Sequence, residues 1–171
     1  MGNDSFYGKG DIVDTSSPFT VVTKFITADG TDSGALSAIE RVYVQNGKVI
    51  QNSKTDIKGI DTTSKITDGY CKQQKSVFGD TDSFESRGGL ATMGDAFSRG
   101  MVLVMSIWVD YAAEMRWLDA PYPATASKGK PGVVRGTCSA DSGVPSDVIS
   151  NSPSASVKFS NIKFGALGST Y

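Results

Sequence analysis

The sequence has 171 residues, 39% of them apolar, so it is long enough to form one globular domain with a buried core. Its 17 basic and 18 acidic residues give a formal charge of −1 without long charged blocks, which argues against a nucleic-acid or membrane-surface binder. No apolar run is long enough to span a membrane, and the first residues do not have the apolar stretch of a signal peptide. The sequence therefore predicts a single domain with an uncharged partner.

The predicted elements are mostly short strands joined by turns. Residues 20–26 (TVVTKFI) are β-branched and aromatic, which favours a strand. Residues 41–51 hold Asn46-Gly47 between two β-rich runs, which predicts a two-residue hairpin. Two helices are predicted, over 69–78 and over 89–98.

Two further strands are predicted after the second helix. Residues 101–108 (MVLVMSIW) alternate between a bulky set, suited to the space between two sheets, and a set that ends in Ser106 and Trp108. Residues 156–165 change parity near Ser160-Asn161, which predicts a β-bulge. The sequence therefore predicts an all-β protein, either a sandwich or a jelly roll.

Histidine is absent from the sequence. This absence excludes Ser-His-Asp and Cys-His nucleophile schemes, and also the common zinc sites that require imidazole. Any acid–base chemistry must therefore use Asp, Glu, Lys or Tyr. We predict neither a metal nor a cofactor.

The chain has two cysteines, Cys71 and Cys138, whose spacing fits neither a CxxC redox pair nor a metal knuckle. The sequence leaves two alternatives: the cysteines form a disulfide with each other, or they are two buried thiols. A bond closing so long a loop could add about 4 kcal/mol of stability in the chain-entropy model, and it would imply an oxidising compartment. Asn3 begins a glycosylation sequon that points to the same compartment. Both features favour secretion.

Aromatic and acidic residues are concentrated in residues 106–123. They comprise Trp108, Tyr111, Trp117 and Tyr122, with Asp110, Glu114 and Asp119 among them. A polysaccharide site needs flat rings that stack on sugars and polar groups that contact the sugar edges, and Trp and Tyr suit this role. The residues alone leave open the alternative that the tryptophans belong to a core.

The chain also carries distinctive motifs in a fixed order. They are GNDSFYGKG, TVVTKF, YVQNGK, ITDGYC, GGL, GMVLVMSIWVDYAAEMRWLDAPYP, PGVVRGTCSADSGVP and SPSASVKFSNIKFG. In this order they resemble the fungal cellulases of glycoside hydrolase family 7, which include cellobiohydrolases and endoglucanases. The resemblance implies a concanavalin A-like jelly-roll β-sandwich with short helices in its loops, and a concave face that holds a cellulose chain.

The resemblance also implies roles for five residues. Trp108 resembles the tryptophan that stacks on a glucosyl unit on the non-reducing side of the cleavage point, at subsite −2. Trp117 resembles the platform beyond that point, at subsite +1 where the cellobiose product sits. Tyr122 and Arg135 resemble the other product-site residues, and the guanidinium would donate to sugar hydroxyls. Ser106 lies on the same strand face and is a further candidate contact.

Other features follow from the same resemblance. Cys71 and Cys138 match two cysteines that pair with each other, and Asn3 matches a glycosylation position. We expect a secreted parent enzyme that is monomeric and binds neither nucleic acid nor membranes. Residues 1–171 would be the C-terminal part of its catalytic domain, without a linker or a cellulose-binding module.

The catalytic motif of the family is not found in this sequence. Family 7 enzymes use an E-x-D-x-x-E strand, because retaining chemistry needs two carboxyl groups about 5 Å apart. The three glutamates, Glu40, Glu85 and Glu114, neither begin nor end such a motif. Asp110 and Glu114 are expected to bond loop backbone or solvent, since ionised loop carboxylates cannot act as the acid. We therefore predict no catalytic residue in this chain and expect the catalytic strand to precede it.

Two functional hypotheses remain from the sequence. The chain is either part of a retaining cellulase that contributes sugar subsites but not the chemistry, or a non-catalytic glucan binder. Within the first hypothesis, a cellobiohydrolase is expected and an endoglucanase is the alternative.

Overall fold

A computed structural model describes residues 3–171, which form two compact units. Residues 102–163 form one unit, and residues 3–101 with 164–171 form the other. The strands are β1 (Tyr7–Gly8), β2 (Val13–Asp14), β3 (Thr20–Thr27), β4 (Leu36–Gln45), β5 (Lys48–Gln51) and β6 (Lys65–Ile66). The helices are α1 (Asp68–Phe78), α2 (Gly89–Ser98), α3 (Arg116–Asp119) and α4 (Pro145–Asn151), with a 3₁₀ turn at Glu85–Arg87.

The larger sheet is built around β4. Strand β3 pairs with β4 in antiparallel fashion along its length, while β5 pairs with residues 42–45 of β4 and β6 pairs with residues 39–40. The β4–β5 turn consists of Asn46 and Gly47, which both have positive φ angles, of 52° and 73°. Positive φ at both central residues is the requirement of a type I′ turn, so the predicted hairpin is confirmed. Strands β1 and β2 form a separate short parallel pair.

The core of this sheet lies between β4 and α2. Leu36 and Val42 of β4 and Leu90 of α2 are buried. The helix comes so close that a Cβ added at Gly94 would lie 2.8 Å from Leu36 Cβ, so this position requires glycine.

The two predicted helices are confirmed. Helix α1 begins one residue before the predicted start, after the N-cap Thr67, whose side chain accepts a hydrogen bond from Tyr70 N. Helix α2 spans the predicted residues, and its Leu90 N donates to Asp68 Oδ1 at 2.9 Å. No helix within residues 3–171 has the length and apolar character needed to cross a bilayer.

The two strands predicted after α2 are not strands in the structure. Residues 101–108 and 156–165 have no ladder partner among residues 3–171, and their apolar side chains are exposed. A strand needs a neighbour to supply its ladder hydrogen bonds, and the described chain provides none here. Asn161 has a positive φ of 52° where the bulge was predicted, but without a ladder there is no bulge.

Candidate functional site

Two tryptophans form the centre of the site in residues 102–163. The ring centroids of Trp108 and Trp117 are 5.9 Å apart and their planes are inclined by 23°, so the rings are stacked. Trp108 is 55% exposed and Trp117 is half-buried. Neither ring is sealed in a core within residues 3–171.

Hydrogen bonds at its indole nitrogen and at its backbone carbonyl hold Trp117 in place. Its indole Nε1 donates to Asp110 Oδ2 at 2.8 Å, and its carbonyl accepts a bond of 2.9 Å from Arg135 Nη1. Trp117 lies in α3, which begins after Glu114 and Met115, both in the left-handed region with φ of 54° and 59°. This sharp reversal of the chain turns the indole back toward Asp110.

Asp110 is the buried charge of the site. It is only 7% exposed, and its Oδ1 accepts from the backbone N–H groups of Ala112 and Ala113 at 2.9 and 3.0 Å. Hydrogen bonds lower the pKa of the Asp110 carboxyl below its ordinary value, with the largest effect from the Ala113 N–H and the next from the Trp117 indole. As expected from the sequence, this carboxylate bonds loop backbone. Because it stays ionised, it cannot serve as a general acid.

Glu114 forms an ion pair that the sequence did not predict. Its Oε2 contacts the Arg116 guanidinium Nη2. The two groups neutralise each other's charge beside the stacked rings. Glu114 is therefore engaged in an ion pair and is not paired with Asp110 as a catalytic couple.

Arg135 connects the remaining aromatic residue to the ring pair. Its guanidinium carbon lies 5.3 Å from the centroid of the Tyr122 ring, in a cation–π contact. Its Nε donates to Gly132 O at 3.1 Å. Nη2 has no hydrogen-bond partner within residues 3–171. The fork is thus fixed on one side, and its N–H groups on the other side are free to donate to a ligand.

The structure brings together four of the five predicted site residues. Contacts run from Trp108 to Trp117, from Trp117 to Arg135 and from Arg135 to Tyr122. Ser106 is exposed two residues before Trp108 and forms no hydrogen bond within the described part of the chain. Its sugar contact stays a prediction.

The spacing of the tryptophan rings limits how a sugar can bind. A sugar inserted between two rings needs about 7–8 Å between the ring planes, because each carbon contact takes about 3.5–4.0 Å. The centroids of Trp108 and Trp117 are 5.9 Å apart. In this arrangement a sugar can therefore stack only on an outer face of the pair.

Sequence reasoning did not foresee that Asp110 positions Trp117. A local signal was present, because an aspartate followed by small residues often accepts from the N–H groups two and three positions ahead. The bond to the indole depends on the reversal at Glu114 and Met115, which the sequence pattern does not show.

The predicted disulfide is not formed in the structure. Cys71 is half-buried in α1 and Cys138 is exposed in a loop, and both are free thiols. Partial burial and the nearby Asp68 raise the pKa of the Cys71 thiol, and slight desolvation and the nearby Asp119 raise that of Cys138. Asn3 is exposed, and its side-chain oxygen accepts from Ser5 N at 3.0 Å.

Comparison with solved structures confirms the predicted fold. The chain is 48% identical to a family 7 cellobiohydrolase from Daphnia pulex, with a TM-score of 0.94 over 99% of this chain and 39% of that one. A cellobiohydrolase from Melanocarpus albomyces complexed with cellotetraose is 41% identical, with a TM-score of 0.86 over 100% of this chain and 37% of that one. The native endocellulase EGI of Humicola insolens is 36% identical, with a TM-score of 0.70 over 88% of this chain and 33% of that one.

These matches show that the backbone follows part of a jelly-roll β-sandwich with short helices. The chain spans less than two-fifths of the length of each of these structures. The family model of glycosyl hydrolase family 7 matches residues 1–171. Because that match covers the whole sequence, the chain belongs to glycosyl hydrolase family 7.

Proposed function

We propose that the chain binds β-1,4-glucan as the sugar-binding part of a cellulose-degrading family 7 hydrolase. The observation that carries this proposal is the exposed Trp108 ring, stacked on a Trp117 indole that Asp110 holds in place. Two further findings support it: the family match, and the similarity to a cellobiohydrolase that was solved with cellotetraose. Residues 1–171 would then be the C-terminal part of a catalytic domain.

Each side chain of the site has a distinct task in this proposal. The Trp108 and Trp117 rings would each stack on the apolar face of a glucosyl unit. The free N–H groups of Arg135 would donate to sugar hydroxyls, and its contact with Tyr122 would keep the fork oriented. Ser106 would add a polar contact on the same side as Trp108.

The proposal places Trp108 at subsite −2 and Trp117 at subsite +1. Two separate subsites require the stacked rings to part when the glucan binds. Parting the rings would lose about 0.5–1.5 kcal/mol of pair energy and also expose the area between them, and sugar rings stacked on the two indoles would cover that area again. Cellobiose would then occupy the side formed by Trp117, Tyr122 and Arg135.

The cleavage chemistry is not assigned to any residue of this chain. The sequence has no E-x-D-x-x-E motif, Asp110 is ionised, and Glu114 is paired with Arg116. A retaining hydrolase needs both a nucleophile and a protonated acid. The carboxylates would therefore belong to family 7 sequence that this chain does not contain. The higher identities to cellobiohydrolases than to the endocellulase favour the cellobiohydrolase type.

The two tryptophans are the only ones in the sequence, so intrinsic fluorescence reports directly on the proposed site. We expect cellotetraose to change the emission in a saturable way, and cellobiose to compete with it. Trp117→Ala should abolish the competition by cellobiose while Trp108→Ala should retain it. An emission spectrum that does not respond to cellotetraose at any concentration would contradict the proposal.

Hydrolysis is tested separately from binding. We expect no release of the chromophore from a chromogenic cellobioside by the purified chain. Turnover that survives rigorous purification and disappears in Asp110→Asn would contradict the catalytic assignment, even if the binding result holds.

We further propose a secreted, monomeric parent enzyme in which Cys71 pairs with Cys138 and Asn3 carries a glycan. The family resemblance and the exposure of Asn3 support this. Expression through an oxidising secretory route should yield a product in which neither cysteine reacts with maleimide under denaturing conditions, and in which Asn3→Gln reduces the mass. Two reactive thiols in that product would contradict the pairing.

A further inference from the structure

Helix α3 carries Trp117 but is too short to hold its own shape. It has only 4 residues, Arg116–Asp119, and a single helical turn is not stable by itself in water. It also begins after Glu114 and Met115, two consecutive non-glycine residues in the left-handed region. Such backbone persists only where the surrounding structure holds it. The position of the Trp117 ring therefore depends on what contacts the two ends of α3.

One segment, residues 135–143, contacts both ends of this helix. At the C-terminal end, Arg135 Nη1 donates to Trp117 O at 2.9 Å, and Cys138 N donates to Asp119 O at 3.1 Å. These two bonds satisfy two of the carbonyl groups that the end of a helix leaves without a partner. The segment thus supplies hydrogen bonds that the short helix cannot supply for itself.

Gly136 allows the segment to come close to the C-terminal end of α3. A Cβ added at Gly136 would lie 2.5 Å from Asp119 O and 3.0 Å from Asp119 C, closer than real Cβ atoms come to backbone. The φ angle of Gly136 is outside the left-handed region, so the requirement for glycine comes from space alone. Because the neighbouring atoms belong to the backbone, a side chain at this position would have to shift the helix.

Gly143 makes the corresponding approach at the other end of α3. A Cβ added there would collide with Glu114 O, in the reversal that precedes the helix. The Cα hydrogen in that direction therefore points at this carbonyl, as in a weak C–H···O contact. Gly143 also has a positive φ of 84°. Both the space and the backbone conformation require glycine at this position.

We propose that residues 135–143 form a clamp on α3, in which Gly136 and Gly143 are positioning residues that set where the Trp117 ring meets a sugar. The clamp holds the backbone at both ends of the helix, while Asp110 holds the indole. This inference rests on the proposed function, because it assumes that Trp117 binds the glucan. A shift of α3 would weaken the contact with the sugar on the product side and leave other sugar contacts unchanged.

The test compares Gly136→Ala and Gly143→Ala with Gly129→Ala, using cellobiose and cellotetraose. Gly129 is the matched control, because it lies in the same unit and a Cβ there would meet only Ser127 Oγ at 3.8 Å. We expect each clamp variant to bind cellobiose about tenfold more weakly, equivalent to about 1.4 kcal/mol, and the control to bind it unchanged. Cellotetraose should lose less affinity, because it can still stack on Trp108.

Two further measurements separate positioning of the ring from general loss of structure. The stacked Trp108 and Trp117 rings should give a coupled signal in circular dichroism, and both clamp variants should change it because Trp117 moves. The Tyr122 amide, which donates to Val133 O at 2.9 Å, should stay protected from exchange in the same variants. Unfolding of the unit would instead expose this amide.

Gly143→Asn separates the two requirements at that position. Asparagine enters the left-handed region more readily than other side chains do, but its Cβ would still meet Glu114 O. We therefore expect Gly143→Asn to weaken cellobiose binding as much as Gly143→Ala does. Full affinity in Gly143→Asn would overturn the clamp at this end, because only the backbone conformation would then matter.

Two other results would overturn the proposal as a whole. An unchanged dichroism signal and unchanged cellobiose affinity in both Gly136→Ala and Gly143→Ala would show that the segment does not position the ring. Equal loss of both sugars with an exposed Tyr122 amide would show a purely structural role. Failure of the proposed function is distinguishable from both results, because the unaltered chain would then bind no cellotetraose while the dichroism of the variants would still test the clamp.

Discussion

At the scale of single residues, the main result is that Asp110 holds the Trp117 ring in place through a hydrogen bond to the indole. Its carboxylate accepts from two backbone N–H groups and from the Trp117 indole, and these three donors keep it charged. The sequence placed Trp108, Trp117, Tyr122 and Arg135 in one candidate site, and the structure brings these four residues into contact. The sequence could not show the order of contacts among them, because that order depends on the two left-handed residues before α3.

Substitution of Asp110 by asparagine should loosen Trp117. The amide oxygen of the new side chain can still accept from Ala112 and Ala113, but its NH₂ group would face the indole N–H, and two donors do not bond. A hydrogen bond to a charged group is worth about 1.5–3 kcal/mol, so we expect at least about a tenfold loss of cellotetraose affinity. The emission should also shift to longer wavelength, which fluorescence titration measures.

Asp141→Asn is the matched control for this substitution. Asp141 is exposed in the same unit and its carboxylate has no partner among residues 3–171. The Asp141→Asn variant should bind cellotetraose with the same affinity as the unaltered chain. Equal affinities for Asp110→Asn and the control would show that the indole is held by other contacts.

The lowered pKa of Asp110 sets a pH window for the same bond. A carboxyl whose pKa is lower in the folded state stabilises the fold above its ordinary pKa of 3.8, and this contribution is lost as pH falls through the lowered value. Tryptophan emission should therefore stay constant down to about that ordinary value and change only below it.

The Asp110→Asn variant should lack this acid transition, since it has no group to protonate at the position. An emission change centred between pH 5 and 7 in the unaltered chain would mean that another group controls the ring.

At the scale of elements, locally determined structure was predicted well and partner-dependent structure was not. The Asn46-Gly47 turn and helices α1 and α2 depend on residues within a few positions, and the structure confirms them. Residues 101–108 have a clear strand pattern but no strand, because a ladder needs a neighbour. An alternating sequence shows which side chains form the apolar face of a strand. It does not show whether the chain contains the neighbouring strand or layer that buries this face.

Two glycine substitutions in the unit that contains the sheet should have opposite effects. Gly47→Ala forces a Cβ into the left-handed region at φ of 73°, which should destabilise the β4–β5 hairpin by about 1–2 kcal/mol. Gly69→Ala lies in α1, where a Cβ would meet only Thr67 Oγ1 at 3.9 Å, and should stabilise that helix by up to about 1 kcal/mol. Amide exchange in β4 and α1 measures both effects.

The two variants control for each other, because they introduce the same side chain into the same unit. Faster exchange of β5 and its β4 partners in Gly47→Ala alone is the expected result. Unchanged exchange of these strands would mean that the turn type does not limit hairpin stability.

At the scale of the whole molecule, the chain exposes more apolar surface than a stable monomer usually does. Its motifs identify the family along the entire sequence, and the fold follows from that identification. The exposure of residues 102–107 and 156–163 does not follow from it, since the same residues would be covered in a complete sandwich. A formal charge of −1 provides little repulsion between copies.

We expect the chain on its own to associate in an open-ended way as its concentration rises. Large exposed apolar patches and unpaired strand edges favour such association. When two copies associate, apolar surface remains exposed on both, so further copies can bind. In sedimentation velocity the average mass should rise without a plateau, and a hydrophobic dye should bind. Leu103→Asp should reduce both signals while Leu167→Asp should not. A single monomer species with one sharp thermal transition would show instead that these segments are stable without a partner.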